Sequence, residues 1–99
     1  MLFRSSNNDA DYWRQEFGIA MARWQSSQSR VQQAQQRMNN AQSQMNNSNT
    51  EVARMGREAY TRAQQEYSQA QSQAWNDEQA VNSARNAAIR AGVPASYLR

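Results

Sequence analysis

Cysteine and histidine are both absent from this chain of 99 residues, and so is lysine. Without cysteine no disulfide framework can hold the fold, and the redox compartment cannot be inferred. Without either residue the chain lacks the commonest general base, the commonest metal ligands and the most reactive nucleophile. Proline occurs once and glycine three times. Gly18, Gly56 and Gly92 lie too far apart to form a phosphate-cradling loop. No apolar run reaches the roughly 18 residues of a membrane-spanning helix. Met1-Leu2-Phe3-Arg4 has no apolar stretch behind it and does not read as a secretory signal. Mean hydropathy is −1.10. A short chain this polar is poorly suited to a compact globule, but a single apolar seam needs less.

The seam is what the sequence does contain. From Asn8 to Asn47, Ala10, Phe17, Trp24, Val31, Met38 and Met45 recur every seven residues, with Trp13, Ala20, Ser27, Ala34 and Ala41 between them. From Val52 to Ala91, one row is Ala53, Tyr60, Tyr67, Ala74, Val81 and Ala88. The other is Gly56, Ala63, Ala70, Asp77, Ala84 and Ala91. Alternating steps of three and four mark a left-handed coiled-coil seam. The expected fold is all-α: a long antiparallel two-helix coiled-coil hairpin over 10–91, turning near 46–50. A short N-terminal arm at 1–9 and a C-terminal turn at 92–99 complete it, with helices of about 40 residues, or about 60 Å.

A short turn near Ser48 pairs seam positions into layers such as Met45–Gly56, Met38–Ala63, Trp24–Asp77, Phe17–Ala84 and Trp13–Ala88. Nearly every layer sets a large side chain against a small one, which favours dense packing. A slip of one heptad, bringing Met38 onto Gly56, keeps that complementarity, so the register is well but not uniquely specified.

The Gln/Asn/Ser-rich middle could be read as low complexity, but Val31, Ala34, Met38, Ala41 and Met45 stay in step through it, which argues for helix. Asn8 is the expected cap of the first helix. Ser48 with Glu51 reads as a capping box for the second. Arg54, Glu58, Arg62 and Glu66 follow at steps of four as an ion-pair ladder, each pair contributing roughly 0.2–0.5 kcal/mol. Arg37 is expected opposite Glu66. Gly92 should stop the second helix, and Pro94 should start a new turn.

The eight acidic residues form no catalytic constellation. Asp9 and Asp11 sit at a helix start, Asp77 and Glu78 diverge on a helix, and Asp77 on the seam faces Trp24, whose indole N–H could satisfy it. Tyr60 and Tyr67 read as seam fillers. The expectation is no enzyme activity, no cofactor and no metal site. The net charge is +3, carried entirely by arginine. These arginines do not form one stripe, and several have acids one turn away, so nucleic-acid binding is expected to be weak at most.

The segment AAIRAGVPASYLR, Ala87 to Arg99, resembles the middle of a helix-turn-helix DNA-binding motif, where Ala-Gly-Val precedes a Ser-x-Leu recognition helix. That resemblance covers thirteen residues and implies an accessory nucleic-acid binder. In length and hairpin form the chain is also similar to small secreted helical hairpins with a central Trp-x-Gly turn, which implies an effector or chaperone-like partner. Here Met55-Gly56 lies after the bend, and the Tyr-x-x-x-Asp/Glu export signal of that family is not found beyond it.

Apolar residues off the seam gather at the open end of the hairpin. Phe3, Tyr12, Ile19, Trp75, Ile89, Tyr97 and Leu98 are the expected interface, joined by Val93, with Trp75 as the anchor. The expected role is a non-enzymatic structural or adaptor protein, homo-oligomeric or docked with other assembly proteins, as in a phage virion or a secretion apparatus. The sequence leaves the compartment open between virion and cytoplasm.

Overall fold

The computed structural model describes residues 7–98, with side chains described from Ala10 onward. The chain is an all-α helical hairpin. Helix α1 spans Asn7–Met45, α2 spans Thr50–Arg90, and a short 3-10 helix, η1, spans Ala95–Tyr97. Helix α1 thus starts within the segment read as the arm, and Asn8 falls inside its first turn rather than at its cap. Phe3 lies outside the described residues. No described helix is long and apolar enough to cross a membrane.

The hairpin forms two compact units, Ser26–Ala74 around the turn and the residues on either side of it in sequence, 7–25 with 75–98. We call them the turn unit and the end unit. Heptad letters place Ala10 and Ala53 at a, and Trp13 and Gly56 at d.

In the turn unit the small residues of the seam are the buried ones: Ser27, Ala34, Ala41, Ala53, Gly56, Ala63 and Ala70. Val31, Met38, Met45, Tyr60 and Tyr67 are half-buried. Methyl groups and hydrogens at the centre let the two backbones come together, and the longer side chains then lie along the edges of the contact. The helices come close at Gly56. A Cβ there would stand 2.7 Å from the Met45 backbone nitrogen and 2.8 Å from Gln44 Cβ. Arg37 reaches Glu66 at 3.1 Å. These two contacts fix the register: Met45 faces Gly56, and the one-heptad slip that would bring Met38 there does not occur.

The turn is built by asparagines. The Asn47 side-chain oxygen accepts the Asn49 N–H at 2.8 Å, and the Asn49 side-chain oxygen accepts the N–H groups of Glu51 at 2.9 Å and Val52 at 3.3 Å. Asn49, not Ser48, is therefore the cap of α2. Its carbonyl also takes the first helical bond, from Ala53 at 3.0 Å. Glu51 is freed from the capping role and pairs with Arg54, which also reaches Glu58 at 3.2 Å. The expected ladder stops there, because Glu66 turns across the hairpin to Arg37 and Arg62 pairs with neither glutamate.

In the end unit the core is larger and more varied. Phe17, Ala20, Val81, Ala88, Val93 and Leu98 form one buried cluster, with Trp13, Met21, Trp24 and Ala84 packed on it. Helix α2 ends as a Schellman motif. Gly92 has φ 96°, the left-handed region that glycine enters freely. Its N–H bonds the Ile89 carbonyl and the Val93 N–H bonds the Ala88 carbonyl, each at 3.0 Å. The Val93 side chain then meets Ala88 in the core, the hydrophobic contact that accompanies this cap. Pro94 opens η1, which carries Leu98 into the same cluster.

Candidate functional site

The end unit carries the larger core and most of the exposed large hydrophobic residues; Met55, 55% exposed, is the one in the turn unit among the described residues. Trp75, Tyr12, Tyr97, Ile89 and Ile19 are 62, 54, 48, 45 and 41% exposed. Leu98, expected on this surface, is instead buried at 5%, and Val93 at 3%. The reason is the Gly92 reversal, which turns the segment after α2 back over the core, so that these two side chains complete the cluster rather than face outward. Five of the seven expected interface residues therefore stand on the surface, Leu98 does not, and Phe3 lies outside the described residues.

Heptad positions divide the four that lie on the long helices. Tyr12 and Ile19 both occupy c in α1, seven residues apart and so one above the other. Trp75 and Ile89 both occupy b in α2. In an antiparallel pair the e rows of the two helices share one flank and the g rows the other. Position c leans toward the g flank and b toward the e flank, so Tyr12 and Ile19 lie on one flank of the end unit and Trp75 and Ile89 on the other.

The turn after α2 belongs to the e flank. The Arg14 guanidinium, at e, sits 5.6 Å from the Tyr97 ring centroid. Arg85, also at e, lies over the Phe17 ring at 5.3 Å and hydrogen-bonds the Asn82 side-chain oxygen at 3.2 Å. Arginines stacked on ring faces screen part of the aromatic surface while keeping their charge in water. Tyr12 packs edge-on against Trp13, with centroids 5.1 Å apart, which holds the phenol ring out from α1. Trp75, Ile19 and Ile89 are left as the large side chains without such a partner among the ring and cation contacts of the described residues.

Asp77 is half-buried, and no buried side-chain nitrogen or oxygen among the described residues lacks a hydrogen-bond partner. No family model, curated protein or solved structure matches the chain.

Proposed function

We propose that the protein is a non-enzymatic structural or adaptor component. In this reading it self-associates, or docks into a larger assembly such as a phage virion or a secretion apparatus, through its end unit. The observation that carries the reading is the exposed set Tyr12, Ile19, Trp75, Ile89 and Tyr97, in a unit whose own core is already filled by Phe17, Val81, Val93 and Leu98. Clustered apolar surface of this kind generally marks an interaction site. Trp75 is the most exposed of the set, and tryptophan is enriched among residues whose truncation costs an interface about 2 kcal/mol or more.

The division between two flanks supports a particular mode. A surface used by a two-fold dimer is one patch meeting its own copy, whereas different patches on different flanks suit head-to-tail contacts that close into rings or extend as filaments. The many uncharged glutamine, asparagine and serine side chains also suit side-by-side repetition, because like charges would repel.

Sedimentation velocity tests the reading. The wild type is expected to associate with rising concentration, and Trp75→Ala to weaken association while leaving the helical circular dichroism intact. Two charged variants, Ile19→Asp and Trp75→Asp, test the mode. Each alone should fail to form chains, but mixed together they should form a dimer, since each retains the patch the other has lost. A strictly monomeric wild type that captures no partner, or a Trp75→Ala protein that assembles unchanged, removes the basis for the proposal.

A further inference from the structure

We propose that the g flank of the turn unit binds the phosphate backbone of a nucleic acid. The basis is where charge falls. Apart from Glu51, Arg54, Arg57 and Glu58 in the first turns of α2, the charged residues of the turn unit are Arg30, Arg37, Arg62 and Glu66. All four line two adjoining grooves on this flank. Arg37, Arg62 and Glu66 line one of about 530 Å³, and Arg30, Arg37 and Glu66 line the other, of about 340 Å³. The e flank beyond those first turns carries glutamine, asparagine, serine and threonine. Three arginines against one glutamate leave this flank at +2, although the seam beneath it has no need of charge.

The groove floors are alanine: Ala41 and Ala63 in one, Ala34 and Ala70 in the other. Such floors stand low, so arginines and glutamines along the rims can converge on a ligand laid between them. Arg37 is held by Glu66, whereas Arg30 and Arg62 form no ion pair among the described residues. A guanidinium presents a planar fork of donors that matches phosphate oxygens. Arg30 and Arg37 are seven residues apart, about 10.5 Å along the helix at 1.5 Å per residue. That is about three phosphates of one duplex strand, at about 3.4 Å each along the axis.

The linings say what kind of recognition this is. No aromatic side chain borders either groove, so bases have nothing to stack on, and contacts to the backbone carry no sequence preference. A folded acidic protein would need apolar anchorage as well, and the alanine methyls offer little of it. The surface is distinct from the apolar residues of the end unit and does not depend on association through them.

Fluorescence anisotropy of a labelled short DNA duplex, titrated at several low salt concentrations, tests the proposal. With two to three phosphates neutralised, the logarithm of the binding constant should fall against the logarithm of salt with a slope of about −2 to −3. Two duplexes of unrelated sequence should bind alike. Replacing Arg30, Arg37 and Arg62 together with glutamine should abolish measurable binding, and each single replacement should flatten the slope by about 1. Glu66→Gln should tighten binding, because it removes the lone anion and releases Arg37. All these sites are exposed, so the helical circular dichroism should hold. Unchanged binding by the triple variant, weaker binding by Glu66→Gln, or competition by polyglutamate as effective as by unlabelled duplex would each overturn the assignment.

Discussion

The two units are built on one heptad pattern and differ in what fills it. In the turn unit alanine, glycine and serine occupy the centre of the seam, and the flanks are amides and hydroxyls with a few arginines and glutamates. In the end unit phenylalanine, tryptophan and valine enter the seam, Val93 and Leu98 are added from outside it, and apolar side chains still remain on the surface. A seam of small residues is satisfied by one facing helix. A seam of large ones attracts further elements to cover it, and here part of that tendency is met by the segment after Gly92. The difference teaches that periodicity sets where helices meet, while side-chain size decides whether two of them suffice.

The comparison breaks most sharply at Phe17. Phe17→Ala empties the centre of the end-unit core and should destabilise by about 3–5 kcal/mol. Thermal denaturation followed by circular dichroism measures it, and a loss below 1 kcal/mol would mean that the end unit does not depend on its larger core.

In the turn unit the opposite change is the damaging one. Ala34→Trp or Ala63→Trp should cost roughly 1–3 kcal/mol by forcing the helices apart, while the same change at the exposed Gln33 should do little. Equal melting temperatures at the two kinds of site would show that the alanine row is not the contact.

The glycines give the smallest and most pointed test. At Gly18 a Cβ meets nothing within 4 Å, so Gly18→Ala should stabilise by about 1 kcal/mol through helix propensity alone. At Gly56 the same gain is opposed by contacts of 2.7–2.9 Å to the facing chain, so Gly56→Ala should destabilise. Opposite signs for one substitution on two helix glycines sharpen the contrast between open and closed surfaces; matching signs would blur it.

Much of this was legible beforehand. All the seam positions named from the sequence are buried or half-buried, because a hydrophobic period is a property of the helix itself. The Met45–Gly56 layer and the Arg37–Glu66 pair were legible too, since a short turn leaves little choice of register once large and small must alternate. The cap was misread as Ser48. Serine and asparagine are both good caps, and what separated them was the Asn47–Asn49 hydrogen bond, a feature of the turn's backbone path. Leu98 was misplaced for a related reason: Gly92 announced a stop, but not the direction in which the chain would leave. The arginines form no single stripe along the chain, and the three on the rims of the turn unit come together only when the two helices pair. For two of them the signal is a spacing: Arg30 and Arg37, seven residues apart, share one heptad row. The apolar end was visible as composition, but its separation into two flanks required the antiparallel pairing.

The alanine floor of the turn unit has a further consequence, in conformational entropy. Ordering a long side chain against a partner helix forfeits rotamer freedom worth up to about 1.5–2 kcal/mol, whereas alanine and glycine have none to lose. Ala34, Ala41, Ala63, Ala70 and Gly56 bury little area each, but they immobilise no side-chain torsion in doing so. A region so poor in hydrophobic side chains can therefore fold on a small gain, because its seam asks for so little order in return.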